Sequence, residues 1–209
     1  MIAIVDYGAG NLFSVKNALE YIGFAGQITR DADLLQAADG IILPGVGAFP
    51  DCMRMLGATG LIRPLQTAAE QKPFLGICLG MQMLFDQSTE FGETEGLGLI
   101  PGTVEPIVTP YKVPHMGWNA LTYPKDRPQS LLLKGVEEGS SVYFVHSYMA
   151  YTSKENLAAY CDYGTNIPAL VERGKVYGAQ FHPEKSGQVG LTILRNFCEL
   201  TQADKGADR

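Results

Sequence analysis

The sequence lacks several features that are typical of whole classes of protein. No apolar run approaches the roughly 20 residues that a membrane-spanning helix needs. Basic residues are outnumbered, with 16 Lys and Arg against 22 Asp and Glu, and the formal net charge of −6 argues against general nucleic-acid binding. No repeat, low-complexity tract or flexible linker divides the 209 residues. We therefore expect one domain over 1–209, with an ordered core to about residue 201 and a short polar tail.

Cysteine is also scarce, and its placement is informative. The four cysteines, at positions 52, 78, 161 and 198, are scattered, and no pair has the spacing of a metal site. A reduced protein of the cytoplasm is therefore expected, without a bound metal. The first residues, MIAIVDYG, lack a basic leader and a cleavage site, so they predict a first strand and not a signal peptide.

The two halves of the chain differ in their hydrophobic patterns. In the first half, the buried-strand runs IAIVDY, ADGIILPG and KPFLGIC alternate with helical patterns at 11–23, 50–57, 60–71 and 79–88. This alternation predicts a mainly parallel sheet covered by helices on both faces. The second half has strand-like runs joined by short connections, which predict an additional antiparallel portion, before a last helix near 187–201.

A cysteine lies between two glycines in the stretch FLGICLGMQMLF, residues 74–85. Cys78 falls where a predicted strand turns into a predicted helix, and Gly76 and Gly80 let the neighbouring backbone pass closely. This is the layout of a nucleophile elbow, in which a helix N-terminus favours a thiolate. The N–H of Leu79 is then a candidate oxyanion donor. The alternative is a small, inert, buried thiol in a strand loosened by glycine.

A thiol nucleophile needs a histidine, and His182 is the best placed of the three in the chain. It ends the apolar run YGAQF and is followed by Pro183 and Glu184. In an extended His-Pro-Glu segment, side chains two residues apart point the same way. Glu184 can then hold one imidazole nitrogen while the other faces Cys78. The alternative is a capped strand end with a surface carboxylate.

The segment PGVGAF, residues 44–49, follows a buried strand and contains two glycines. Such a loop can present backbone N–H groups, and Val46 or Gly47 is a candidate for the second oxyanion donor. Valine resists positive φ far more than glycine does, so a loop that must reorient its Val46 peptide could rest in an inactive form. The alternative is an ordinary turn between a strand and a helix.

Three other segments allow more than one interpretation. YGAGNLF, residues 7–13, begins like a dinucleotide fingerprint, but Phe13 stands where the third glycine belongs, so a tight turn or a partner-facing loop is expected. VPHMGWN, residues 113–119, holds the single tryptophan and is equally compatible with core and contact surface. YFVHSY, residues 143–148, either lines a polar pocket or forms a half-exposed strand.

Taken together, these motifs resemble those of the class I (triad-type) glutamine amidotransferases over nearly the whole chain. GICLGMQ and FHPE are typical of the wide family. PGVG and PHMGWN resemble more closely the glutaminase subunits of imidazole glycerol phosphate synthases, which serve histidine biosynthesis. The resemblance implies an α/β fold of three layers, flavodoxin-like, with a mainly parallel central sheet, helices on both faces and an antiparallel portion in the C-terminal half.

The resemblance also implies roles for individual residues. It implies a catalytic triad of Cys78, His182 and Glu184. It implies an oxyanion site at Val46, Gly47 and Leu79. It implies substrate binding by Gly45, Gln82, Ser147 and Tyr148. It implies a partner-docking face with Asn11, His115, Trp118 and Tyr143.

The implied reaction is hydrolysis of L-glutamine through a glutamyl thioester, with no metal or organic cofactor. The ammonia would pass to a (β/α)₈-barrel cyclase subunit in a heterodimer, with no nucleic-acid or membrane partner. Three alternatives stay open at this point: the glutaminase subunit of another amidotransferase, a non-catalytic regulatory module on the same fold, and a hydrolase or peptidase of related fold.

Overall fold

The computed structural model describes residues 1–207, with side chains as far as residue 203. The α-helices in that range are α1 (Leu12–Tyr21), α2 (Ala32–Ala37), α3 (Phe49–Ala58), α4 (Ile62–Gln71), α5 (Leu79–Gln82) and α6 (Gly187–Ala207). The strands are β1 (Ile2–Val5), β2 (Gly26–Thr29), β3 (Gly40–Gly45), β4 (Phe74–Cys78), β5 (Gln87–Ser88), β6 (Thr94–Glu95), β7 (Thr103–Pro106), β8 (His115–Ala120), β9 (Ser141–His146), β10 (Tyr148–Tyr151), β11 (Leu157–Asp162), β12 (Asn166–Arg173) and β13 (Val176–Ala179). Short 3₁₀ turns occur at Leu131–Leu133, Lys154–Asn156 and Pro183–Lys185.

A seven-stranded sheet forms the centre of the molecule, in the order β11-β12-β13-β4-β3-β1-β2. Five neighbouring strands pair in parallel: β2, β1, β3, β4 and β13. Beyond β13, the strands β12 and β11 extend the sheet in antiparallel pairs. Parallel strands bring their carboxyl ends to one edge of a sheet, which is where ligands bind in open α/β folds. Both Cys78, at the end of β4, and the segment after β13 lie at this edge.

The two faces of the sheet carry separate cores because successive side chains of a strand point to opposite faces. In β1, Ile4 belongs to the core shared with α1 and α6, whereas Val5 belongs to the core shared with α2, α3 and α4. Helices therefore cover both faces, and the predicted three-layer α/β arrangement with a mainly parallel sheet is confirmed.

The predicted antiparallel portion is confirmed as well, and it is divided. A four-stranded sheet has the order β10-β7-β5-β6, and β8 pairs with β9 in a separate antiparallel ribbon. The strand-like run SVYFVHSYMAY, residues 141–151, is not one continuous strand, because it is broken at Ser147, where β9 ends and β10 begins in another sheet. This break places the backbone of Ser147 and Tyr148 beside β4 and α5.

The helix after Cys78 is shorter than expected. The pattern predicts a helix over 79–88, but α5 ends at Gln82. The carbonyls of Met83 and Leu84 accept from the N–H groups of Leu97 and Leu99, at 2.8 Å each, so they are not available for a further helical turn. Partners far along the chain thus override the local helical periodicity.

Other differences lie near the ends of the chain. The pattern analysis missed β2 and α2, although Asp31 caps α2 by accepting from the N–H of Asp33 at 2.9 Å. Helix α6 continues to Ala207, beyond the predicted end near 201, and the last two residues of the expected tail lie outside the described residues.

Within 1–207, no helix is both long enough and apolar enough to cross a membrane.

Candidate active site

Cys78 occupies a strained turn between β4 and α5. Its backbone has φ 55° and ψ −112°, a region that residues other than glycine rarely adopt. Such a conformation costs about 1–3 kcal/mol and persists only where the surroundings enforce it. The strand-to-helix turn predicted from GICLG is therefore present. Because α5 has only four residues, its macrodipole is small, so the helix N-terminus contributes little to stabilising a thiolate.

The glycines around this turn are required by the close approach of neighbouring backbone. A Cβ on Gly80 would lie 1.8 Å from the carbonyl oxygen of Leu43, and one on Gly76 would lie 2.5 Å from that of Gly80. A Cβ on Gly45, which pairs with Cys78 across β3 and β4, would lie 2.5 Å from the N of Gly80. The elbow is therefore packed by main chain on the side of β3.

His182 and Glu184 form the hydrogen-bonded pair expected from the sequence. His182 Nδ1 lies 2.9 Å from Glu184 Oε1, and both side chains are buried. The expected extended backbone is wrong, however, because Glu184 lies in the 3₁₀ turn that begins at Pro183. The N–H of Lys185 and the hydroxyl of Ser186 both donate to the His182 carbonyl, at 3.0 and 2.7 Å, and close that turn.

The surroundings of His182 favour its protonated form. Burial disfavours the charge, but hydrogen bonds to Cys78 and to Glu184, with the charges of both, raise the pKa of His182 to about 9. The other oxygen of that carboxylate, Glu184 Oε2, is buried without a hydrogen-bond partner in the described chain. Glu184 thus acts on the imidazole alone, which is the arrangement expected of an orienting carboxylate.

A cavity of about 310 Å³ opens above Cys78. Its wall contains eight of the residues singled out from the sequence: Val46, Gly47, Cys78, Leu79, Gln82, Ser147, Tyr148 and His182. Two predicted residues lie behind this wall, since Gly45 is buried in β3 and Glu184 is screened by His182. The wall also contains Glu90, Pro114, Val145 and His146, which the sequence analysis did not assign.

Gln82 is held by its amide nitrogen. The Nε2 atom donates to the Tyr148 carbonyl and to Gln180 Oε1, each at 3.0 Å. An amide has two N–H donors, so these bonds use both and leave Oε1 as the acceptor that a ligand can use. Gln180, which is 0% exposed, also places its own amide nitrogen 3.9 Å from Cys78 Sγ. Gln180 is a supporting residue in the run YGAQF that precedes His182, and the sequence analysis gave it no role.

Glu90 brings a carboxylate to the cavity wall. Its Oε2 accepts from the N–H of Phe49 at 2.7 Å, which ties the start of α3 to the loop after β5. No local pattern could have found this contact, because 41 positions separate the two residues. The carboxylate adds negative potential to the side of the cavity that Val46 and Gly47 line.

The comparisons with known proteins agree with this geometry. The family model described as glutamine amidotransferase class-I matches residues 3–200. This chain belongs to the class I glutamine amidotransferases.

Relatives of this amidotransferase cover its whole length. A protein of Bacillus thuringiensis (strain Al Hakam) named imidazole glycerol phosphate synthase subunit HisH is 52% identical over 99% of this chain and 98% of its own. A protein of the same name from Bacillus anthracis is 51% identical with the same coverage. A solved crystal structure of a glutamine amidotransferase has a TM-score of 0.75 at 20% identity, covering 97% of this chain and 100% of that one, which supports the fold.

His146, in the cavity wall, is a neutral imidazole in this amidotransferase. Its Nδ1 donates to the Tyr148 carbonyl at 2.8 Å, since a carbonyl can only accept, and its Nε2 lies 3.0 Å from His115 Nδ1. Burial lowers the pKa of His146 to about 3 and that of His115 to about 4. The pair fixes the break between β9 and β10, and with it the position of Tyr148.

His115 was expected on a docking face, and this expectation is wrong. The side chain is 1% exposed and stacks between Phe144 and Tyr163, with ring centroids 4.7 and 4.1 Å away. Alternation along β8 explains the error, because His115 and Trp118 are an odd number of residues apart and face opposite sides of the ribbon. Trp118 is 55% exposed and meets Tyr143, which is half-buried, across the ribbon.

Proposed function

We propose that this chain is the glutaminase subunit of an imidazole glycerol phosphate synthase, acting as one amidotransferase domain in the cytoplasm. In this proposal it hydrolyses L-glutamine and supplies ammonia to a cyclase subunit of histidine biosynthesis. The observation that carries the catalytic part is the strained Cys78 elbow facing a cavity that also holds His182, itself bonded to Glu184. The names and full-length similarity of the relatives support the particular synthase.

The cavity suits a free amino acid with a side-chain amide. Glu90 supplies the negative charge that complements an α-ammonium group, and Gln82 Oε1 can accept from a ligand N–H. Ser147 and Tyr148 form part of the same wall. These groups support the proposal that L-glutamine binds with its amide carbon near Cys78 Sγ.

The proposed reaction begins with attack of the Cys78 sulfur on the amide carbon of glutamine. Backbone N–H groups of Val46, Gly47 and Leu79 stabilise the oxyanion of the tetrahedral intermediate. His182 carries the proton that the leaving ammonia takes, which fits a pKa of about 9. The resulting glutamyl thioester is then attacked by water, whose proton His182 accepts, and glutamate and the free thiol are released. Each step uses only residues of this chain, and none requires a metal or organic cofactor.

The antiparallel ribbon β8–β9 supports docking of a partner on this side of the molecule. Its outer face presents Met116, Trp118 and Tyr143, and exposed tryptophan is favoured at protein interfaces. The same ribbon holds the catalytic segment, since the His182 N–H donates to the Tyr143 carbonyl at 2.9 Å. Asn11 directly precedes α1 and makes no capping hydrogen bond with its side chain, so its amide is available to a partner. We propose that the cyclase subunit covers this face.

Replacing the nucleophile tests the catalytic proposal. In the complex with the cyclase subunit, Cys78→Ala should abolish glutamine-dependent synthesis of imidazole glycerol phosphate while sparing synthesis from ammonium salts. Glutamate release and cyclase product are measured in parallel with each nitrogen source. Glutamine-dependent turnover that survives the change would refute the assignment of Cys78. Activity with the synthase of another pathway, or hydrolysis of γ-glutamyl peptides in place of glutamine, would refute the pathway.

The docking proposal is tested by a matched pair of exposed aromatic residues. Trp118→Ala should weaken binding of the cyclase subunit at least tenfold, because tryptophan residues are common hot spots. Tyr21→Ala removes an exposed aromatic side chain at the far end of α1 and should leave the affinity unchanged. Affinity is measured by calorimetric titration. Equal affinities for the two variants would contradict this placement of the partner.

A further inference from the structure

Side chains hold the carbonyl groups of the oxyanion loop, residues 44–49. The hydroxyl of Tyr7 donates to the Pro44 carbonyl at 3.0 Å, and the thiol of Cys52 donates to the Val46 carbonyl at 3.3 Å. Cys52 lies in the first part of α3 and is 2% exposed. It does not line the cavity, so the Val46 carbonyl points away from the space above Cys78.

The geometry of a trans peptide fixes the consequence. In such a peptide the C=O and the following N–H point in opposite directions. With its carbonyl on Cys52, the Val46–Gly47 peptide therefore turns the Gly47 N–H to the side of the cavity, whose wall Gly47 forms. That N–H has no acceptor in the described part of the chain, so it is free to bind an oxyanion. Rotation of this peptide would break the bond to Cys52 and remove the N–H from the cavity.

We propose that Cys52 is a positioning residue whose thiol, by holding the Val46 carbonyl, keeps the Gly47 N–H turned to the cavity as an oxyanion donor. This inference rests on the proposed glutaminase function, which it deepens. Cys52 touches no reacting atom and acts only through the loop. The role is distinct from nucleophilic chemistry, although both cysteines lie near the same turn.

The surroundings of Cys52 suit a weak hydrogen bond to the Val46 carbonyl that can break and form again. Burial raises the pKa of its thiol, so the sulfur keeps the proton that it donates. A thiol is a weak donor, and its loss changes a two-state equilibrium by a small factor and not by orders of magnitude. The side chain of Val46, which is 45% exposed, leaves the loop free to move when the bond is absent. The hydrogen bond from Cys52 therefore favours one conformation of the loop but still allows the loop to change conformation.

The test removes the donor in two ways in the complex with the cyclase subunit. Cys52→Ala makes the position smaller and Cys52→Val makes it larger, and neither side chain can donate. We expect each variant that folds to lower the kcat of glutamine hydrolysis about three- to tenfold with an unchanged KM for glutamine. Cys52→Ser, which keeps a donor, should recover at least half of the wild-type kcat. Cys198→Ala is the matched control, because it removes a buried thiol from α6, on the other face of the sheet.

The outcomes separate a positioning role from a structural one. A lower melting temperature with an unchanged kcat in both donor-free variants would overturn the inference, and so would an equal loss of kcat in Cys198→Ala. A rise in KM with unchanged kcat would also overturn it, because a misplaced oxyanion donor affects the transition state and not the bound substrate. If the wild-type complex itself releases no glutamate from glutamine, the proposed function has failed, and not this inference.

Discussion

Two glycine-containing turns lie side by side at the cavity, after the paired strands β3 and β4, and they are built in opposite ways. The elbow at Cys78 is enclosed by backbone: a Cβ on Gly80 would overlap the Leu43 carbonyl, and Cys78 itself is forced to positive φ. The oxyanion loop at Gly47 is open, with no atom within 4 Å of where its Cβ would be. Side-chain hydrogen bonds from Tyr7 and Cys52 hold this loop.

This difference indicates which part of the site can change its conformation. An element packed by main chain has no alternative conformation of similar energy, because any shift produces overlaps. An element held by a few side-chain hydrogen bonds, each worth about 0.5–1.5 kcal/mol, can exchange between states. The nucleophile is therefore fixed, while the loop at Gly47 is the part of the site whose conformation can change.

The largest effect is expected from breaking the enclosure of the elbow. Gly80→Ala places a methyl group 1.8 Å from the Leu43 carbonyl oxygen, a contact that only a shift of β3 or α5 can relieve. We expect the free energy of unfolding to fall by about 4 kcal/mol or more and glutamine hydrolysis to be lost. Urea titration and a glutamate-release assay measure the two effects.

Gly57→Ala in α3 is the control for this change. Its Cβ would meet Ile62 Cδ1 at 3.7 Å, an ordinary contact, and alanine is favoured over glycine in a helix by about 0.5–1 kcal/mol. We expect a small gain in stability and full activity. A Gly80→Ala protein as stable as the Gly57→Ala protein would show that the elbow is not held by close backbone packing.

The next largest effect concerns the protonation of His182. Its pKa in the folded protein, about 9, lies above the ordinary value of 6.5, so folding is favoured by proton binding. This contribution to stability is complete below pH 6.5 and is lost as the pH rises to about 9. Glu184→Gln removes one of the groups that raise the pKa, so the decline in stability over this pH range should become shallower. We also expect kcat to fall about 100-fold.

Urea titrations at pH values from 6 to 9.5 measure this dependence. Glu70→Gln, which neutralises an exposed carboxylate on α4, should keep the wild-type decline. Identical pH dependence in the Glu184→Gln and wild-type proteins would mean that the carboxylate does not control the proton on His182.

Local sequence patterns predicted the fixed part of the site well, and there are physical reasons for this. The strand run KPFLGIC, the two glycines and the cysteine all lie within the nine residues 72–80, so the turn depends on neighbours in the chain. The buried parallel strands were equally recognisable, since continuous apolar runs bounded by glycine are typical of them. The pairing of His182 with Glu184 followed from a spacing of two, although the 3₁₀ turn that creates it did not.

Contacts between distant positions explain what the patterns could not predict. The early end of α5 depends on N–H groups of Leu97 and Leu99, and the carboxylate of Glu90 reaches the cavity through a bond to Phe49. The burial of His115 depends on aromatic rings from two other segments. None of these contacts leaves a periodic trace in the sequence, because each joins residues whose separation is set by the fold.

The smallest of these effects is expected for the turn at Gly47, where the backbone conformation, and not crowding, disfavours a side chain. Gly47 has φ +103°, which a side chain makes unfavourable although nothing crowds the position. We expect Gly47→Ala to lower stability by about 1 kcal/mol and kcat about tenfold, because the loop relaxes away from the orientation that presents its N–H. Gly174→Ala, in the turn between β12 and β13, is equally uncrowded at φ +59° and should cost a similar free energy with full activity. If both variants keep full activity, the orientation of the open turn does not limit the reaction, and the adjustable element must lie elsewhere.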